Sequence, residues 1–313
     1  MVPCRKGGSK SDPLVARTAA RSNVGMTAPF PAETHPLVTT AWLAEHLDAA
    51  DLKVVDGSYS SAPEQPDVAE TFEAAHIPGA VFFDIRAIRD TNHDAPLMLP
   101  NAEGFAAAVG ALGITNTDRV VVYDSGDMLN AGRVWWMFRT FGHPAVAVLD
   151  GGLPKWRAEG RALEAGRPEM TSATFQATFD PAQLRTLDDM RHVVAAGQEQ
   201  VLDVREHDRF SGAVPEKRPG LRAGHMPGSR NLPYQRFKTP DNTLPDPEVL
   251  RALFDEAGIE SSRPVVTTCG GGVAAGLVAL GLERIGHTNW ALYDGSWSEW
   301  AAQEDTPVET GEG

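Results

Sequence analysis

One stretch of this chain occurs twice, and the duplication limits the fold more than any other feature. Residues 119–159 align with residues 263–303 without a gap, at a constant offset of 144, and 14 of the 41 pairs are identical. The identities include Gly126/Gly270, Gly142-His143/Gly286-His287, Asp150-Gly151/Asp294-Gly295 and Trp156/Trp300. Upstream in each half, Ala75-His76-Ile77-Pro78-Gly79-Ala80 pairs with Gly224-His225-Met226-Pro227-Gly228-Ser229, and Val54-Val55-Asp56 pairs with Leu202-Asp203-Val204. A period this long is a duplicated domain and not a solenoid. A chain of 313 residues can hold two such domains, each with its own core.

Each half alternates short apolar β-branched runs with helical patterns, which predicts α/β domains with mainly parallel sheets flanked by helices. Strands are expected over 52–55, 80–83, 120–123 and 145–149, then over 200–204, 229–232, 265–268 and 290–293. Helices are expected over 40–49, 102–112 and 131–141, then over 186–196, 247–257, 273–285 and 296–302. The division that follows is a basic, disordered tail over 1–30, a first domain over 31–165, an extended linker over 166–185 and a second domain over 186–310.

The run Val265-Val266-Thr267-Thr268-Cys269-Gly270-Gly271-Gly272-Val273-Ala274 drives a strand into a cysteine, then glycines, then a helix start. Backbone amides and the helix dipole there favour negative charge on the sulfur, as a nucleophilic thiolate requires. The alternative is a structural thiol, but three consecutive glycines cradle an anion better than they pack a core. In register, Ser125 stands where Cys269 stands, so one half carries the thiol and the other has lost it.

Composition narrows the function classes. Hydrophobic content of 42% without an apolar run of membrane-spanning length argues for a soluble globular protein. A net charge of −14 disfavours a nucleic-acid partner. With only Cys4 and Cys269, a disulfide framework is excluded, and a reducing, cytoplasmic setting suits a reactive thiol. Residues 1–25 are basic, with Arg5, Lys6, Lys10, Arg17 and Arg21 against Asp12, and end just before a second methionine, Met26. A tail from an upstream start or an organelle-targeting segment both fit; a secretory signal does not, for want of an apolar core. Neither metal nor organic cofactor is implied, since no Cys/His cluster has ligand spacing and no glycine fingerprint for phosphate follows a strand.

Several separated segments resemble the two-domain rhodanese-type sulfurtransferases. They are the His-Ile-Pro-Gly-Ala segment at His76, Arg133-Val134-Trp135-Trp136-Met137-Phe138-Arg139, Leu149-Asp150-Gly151-Gly152 and Tyr293-Asp294-Gly295-Ser296-Trp297. The resemblance spans about residues 35 to 305 and implies an inactive first domain, an active second domain and a cysteine persulfide intermediate. A cysteine phosphatase cradle needs Cys-x5-Arg, and positions 270 to 275 hold no base. Thiosulfate-preferring relatives carry basic residues in this loop, whereas the loop here resembles the Cys-Gly-small-Gly-Val of the 3-mercaptopyruvate sulfurtransferases. Gly270, Gly271, Gly272, Val273 and Ala274 would then line the donor site. The donor's carboxylate calls for arginine elsewhere: Arg209 matches the family's Arg before Phe-x-Gly, and Arg218 matches a second substrate arginine.

The chain departs from that pattern at Gly271 and Ala274, where relatives often carry hydroxyls. Arg86 and Leu97 occupy the positions of an acid and a histidine that some relatives place beside the loop hydroxyl. The usual polar relay is thus absent; His93 lies nearby and is a candidate substitute, although a lone loop histidine is more often simply solvated, while His76 and His225 read as structural. The expected activity is transfer of sulfur from 3-mercaptopyruvate to cyanide, a small thiol or a thioredoxin-like protein. Thiosulfate as donor, or a catalytically weak sulfur carrier or regulator, stay open as alternatives.

Overall fold

The computed structural model describes Phe30, residues 36–61 and residues 67–313. The basic N-terminal segment with Cys4 lies outside the described residues. No helix among the described residues is long and apolar enough to cross a membrane.

The first half runs β1 (Leu37–Val38), α1 (Thr40–His46), β2 (Leu52–Asp56), α2 (Val68–Ala74), β3 (Val81–Phe82), α3 (Ala102–Ala111), β4 (Arg119–Tyr123), α4 (Leu129–Thr140), β5 (Val146–Leu149) and α5 (Gly152–Ala158). The second runs β6 (Leu184–Arg185), α6 (Leu187–Ala196), β7 (Gln200–Asp203), α7 (His207–Phe210), β8 (Arg230–Asn231), α8 (Pro247–Glu256), β9 (Val265–Thr268), α9 (Ala274–Arg284), β10 (Trp290–Tyr293) and α10 (Ser296–Trp300). Each half forms a five-stranded sheet, with orders β1-β5-β4-β2-β3 and β6-β10-β9-β7-β8. Every pairing is parallel. The central strands β4, β5, β9 and β10 are buried on both faces, which is why they read as β-branched and apolar runs without polar alternation.

Three differences from the sequence reading have physical causes. Strands β1 and β6 are two residues long, too short to show a period, and exist by pairing with β5 and β10. The segment read as linker therefore ends in a one-turn helix, Pro181–Gln183, and the edge strand of the second sheet. Helices α2, α5 and α7 have four to seven residues, too short to show a helical period in the sequence.

The halves meet through α4 and α9, which occupy the same place in the repeat. A Cβ on Gly132 would fall 2.7 Å from Leu277 N, and one on Gly276 would fall 2.7 Å from Gly132 C. Equivalent glycines thus let the two helix backbones touch. Trp135 of α4 stacks on Trp290 of β10 at 5.7 Å, so α4 is buried nearly all round. Each half also sends a strap across the other. Leu99 N donates to Asp294 Oδ2 at 2.6 Å, and Leu244 N donates to Asp150 Oδ1 at 2.8 Å. Asp150 and Asp294 are one of the identical pairs of the repeat, and each anchors the strap from the other half.

Candidate active site

Strand β9 ends at Thr268, and the chain turns through Cys269 to Gly272 before α9 begins. Gly272 has φ +81°, and a Cβ there would fall 2.6 Å from Asp294 O and 2.8 Å from Arg133 Nη1. Only glycine fits that turn without moving backbone or a buried charge. Arg133, reaching over from α4, donates through Nη1 to Gly272 O at 2.7 Å and to Asp294 Oδ1 at 2.8 Å, and through Nη2 to Leu97 O. The first half thereby braces the loop of the second.

Cys269 is 4% exposed, while Gly270 and Gly271 are only half-buried, so the thiol lies just beneath the opening. Its Sγ accepts the N–H of Gly272 at 3.1 Å. Ser296 sits beside it at φ +50°; its Oγ is 3.8 Å from Sγ, accepts Cys269 N–H at 3.2 Å and donates to Tyr293 O at 2.9 Å. The first residues of α10 close the other side: Trp297 N donates to Cys269 O and Ser298 N to Gly270 O, both at 3.0 Å.

Both predicted arginines reach this loop. Arg209 Nη2 lies 3.0 Å from where a Cβ on Gly270 would stand, and Arg218 Nη2 lies 3.8 Å from the corresponding point on Gly271. Arg209 donates to Glu216, whose other oxygen accepts from Arg205 Nη1 at 2.7 Å. Arg205 is itself buried, paired with Asp203 and set over the Trp297 ring at 4.4 Å. Among the described residues no carboxylate pairs with Arg218; its Nη1 donates to Ser298 Oγ at 3.3 Å.

Leu97 meets the site only through its carbonyl on Arg133, its side chain being buried in the core. Arg86 points elsewhere, donating to Ser60 O at 2.8 Å and lying over the Tyr59 ring. His93 is not simply solvated. Its Nε2 is 3.1 Å from Glu299 Oε1, and its Nδ1 accepts Ala95 N–H at 3.0 Å, so Nε2 carries the proton. Tyr293 is held well above the usual phenol range by burial and then by the Glu299 carboxylate. His76 and His225 are structural: each stacks on a phenylalanine and holds a backbone carbonyl through Nδ1. Sequence reasoning missed Glu216, Ser298, Glu299 and the reach of Arg133. Only Arg133 carried a signal, as part of the family-like segment before the tryptophans.

The equivalent loop of the first half is built differently. Asp124 is fully buried, and its carboxylate accepts N–H bonds from Gly126 at 2.9 Å, Met128 at 3.1 Å and Ala131 at 2.9 Å. Burial pushes its pKa up to about 6 despite those bonds. Ser125 has its N–H on Ser58 Oγ at 2.8 Å.

The family model for the rhodanese-like domain matches this chain twice, over residues 39–159 and 186–303. The chain is 40% identical over 317 residues to thiosulfate/3-mercaptopyruvate sulfurtransferase 1, mitochondrial, of Arabidopsis thaliana, covering 95% of this chain and 84% of the relative. It is 42% identical over 270 residues to 3-mercaptopyruvate sulfurtransferase of Homo sapiens, covering 84% and 91%. Its fold is similar to the crystal structure of SseA from Escherichia coli, a 3-mercaptopyruvate sulfotransferase, with a TM-score of 0.77, 37% identity and coverage of 84% of this chain and 99% of that one.

Proposed function

Since the chain belongs to the rhodanese family, as a tandem-domain sulfurtransferase, we propose that it takes sulfur from 3-mercaptopyruvate through a persulfide on Cys269. The observation that carries this reading is a thiol held by the Gly272 amide in a loop without basic side chains, with Arg209 and Arg218 at its rim. The guanidinium groups suit the carboxylate and carbonyl of the donor.

The Cys269 thiolate attacks the donor sulfur. The S–S bond forms as the donor's C–S bond breaks, and the electron pair leaves with carbon as the enolate of pyruvate. A proton then reaches that carbon from solvent or from the persulfide, giving pyruvate and Cys269–S–S⁻. Negative charge grows on the enolate oxygen, where the arginines act, and on the sulfur pair, where the loop amides act. An acceptor nucleophile such as cyanide, a small thiol or a thioredoxin-like protein attacks the outer sulfur and returns the Cys269 thiolate. Two half-reactions of this kind give ping-pong kinetics. A reducing compartment such as the cytoplasm would keep the thiol ready between turnovers.

Thiosulfate is the second reading, supported by the double name of the Arabidopsis relative. Intact-protein mass after mixing with either donor separates the two, with Cys269→Ser as control. The expected result is a gain of one sulfur from 3-mercaptopyruvate, absent in the variant. Loading from thiosulfate alone would move the donor, and loading from neither would leave a sulfur carrier or regulatory protein.

A further inference from the structure

We propose that Ser298 is the positioning residue that holds Arg218 over the Cys269 loop, and so governs capture of a carboxylate-bearing donor. The inference rests on the sulfurtransferase reading only in its choice of donor. Ser298 is 8% exposed and contacts the loop from two directions. Its N–H donates to Gly270 O at 3.0 Å, and its Oγ donates to the same carbonyl. A trans peptide sends its N–H opposite to its C=O, so anchoring Gly270 O on Ser298 turns the Gly271 N–H away from α10.

With its proton on Gly270 O, the Ser298 hydroxyl offers lone pairs to Arg218, whose Nη1 lies 3.3 Å away. Arg209 and Arg205 share Glu216, so part of their charge is answered within the protein. Arg218 has no such partner among the described residues, and the serine holds it without neutralising it. Ser298 Oγ also lies 3.6 Å from where a Cβ on Gly271 would stand. A hydroxyl from α10 therefore stands beside the position where the loop lacks one. In the first half the position equivalent to Ser298 is Pro154, which has neither N–H nor hydroxyl, so the bridge exists only beside the thiol.

The test is calorimetric binding of pyruvate, a carboxylate of the donor's class, to Cys269→Ser, where no chemistry occurs. Ser298→Ala, Ser298→Thr and Arg218→Ala are then added singly, and Ser298→Ala with Arg218→Ala. Loss of one charge-assisted bond should weaken binding roughly tenfold in Ser298→Ala, while Ser298→Thr stays near the parent. Arg218→Ala should weaken it at least as much, and the pair should add little to Arg218→Ala. In the enzyme with Cys269 intact, kcat/KM for 3-mercaptopyruvate should fall at least as much in Ser298→Ala and be largely restored in Ser298→Thr. Fully additive losses, unchanged binding in Ser298→Ala, or no pyruvate binding by the parent would overturn the proposal. Coupled binding in a protein that loads no sulfur would keep Ser298 in its role and sink the sulfurtransferase reading instead.

Discussion

The loops after β4 and β9 share a register and differ in what their amides hold. In the first loop, the N–H groups of Gly126, Met128 and Ala131 close on the carboxylate of Asp124. Shifted by 144 residues, these are Gly270, Gly272 and Ala275, and the Gly272 N–H meets the Cys269 sulfur. The residue in register with Asp124 is Thr268, which carries no charge. A cradle of amides is a general anion receptor of this fold. The first half satisfies it with an internal carboxylate, and the second leaves it to the sulfur. The first loop thus differs from the second twice: Ser125 stands in place of the thiol, and its amides are already taken by Asp124.

The comparison breaks most sharply at Gly272. Its counterpart Met128 takes φ +63° and keeps a side chain, so left-handed backbone alone does not demand glycine. What demands it is crowding by Arg133 and the Asp294 carbonyl, within 2.8 Å of a Cβ. Gly272→Ala should therefore cost about 3 kcal/mol and lower turnover more than about a hundredfold, because the Arg133 brace must move. Denaturant unfolding and single-turnover persulfide loading measure the two effects. A fully active, stable variant would show that the loop tolerates the side chain as its counterpart does.

Asp124 gives the next largest effect and a pH signature that the second loop lacks. Above the unfolded carboxyl pKa of 3.8, the unfolded chain has released its proton while folded Asp124, at about 6, still holds it. Unfolding then releases a proton, so stability falls as pH rises from about 4 to about 6 and stays lowered above, by about 3 kcal/mol in all. About 2 kcal/mol of that lies between pH 4.5 and 7.5. Asp124→Asn should remove this component, measured as the difference in unfolding free energy between those two pH values. An unchanged difference would mean that the amides hold the carboxylate ionised throughout. Asp150, also raised to about 6 by burial, contributes in the same direction and is left intact by the variant.

The duplication made the architecture legible, because conserved spacing across 144 residues survives divergence in side chains. Strands β9 and β10 announced themselves as buried β-branched and aromatic runs, and Cys269 by the glycines after it. Arg209 and Arg218 could be placed only by resemblance, since nothing local shows that a chain segment folds back over a loop more than fifty residues away. Glu216 in its loop and Ser298 and Glu299 in α10 were illegible for the same reason: a serine or glutamate looks alike in sequence whether it faces water or the Cys269 loop. For His93 the sequence could not decide between solvent and the site, because its partner lies in the other half, about two hundred residues on.

The smallest expected effect bears on the lost loop hydroxyl. Gly271 is in register with Asp127, which carries a side chain at the mouth of the first loop and pairs with Lys238 at 2.9 Å. A Cβ on Gly271 would meet Pro96 Cγ at 3.5 Å, Ser298 Oγ at 3.6 Å and Arg218 Nη2 at 3.8 Å, all ordinary contacts. A serine therefore fits, with its hydroxyl among Ser298, Arg218 and the entering donor. If protonation of the departing enolate limits turnover, Gly271→Ser should raise kcat for 3-mercaptopyruvate about three- to tenfold, less than a fully placed general acid provides. Thiosulfate loading, which forms no enolate, should not change. A rise with both donors would mean that the hydroxyl acts on the sulfur and not on the leaving carbon. No rise with either would mean that protonation of the enolate does not limit turnover, so that solvent or the persulfide proton already suffices and the side chain at this mouth matters less than the one Asp127 presents at the other.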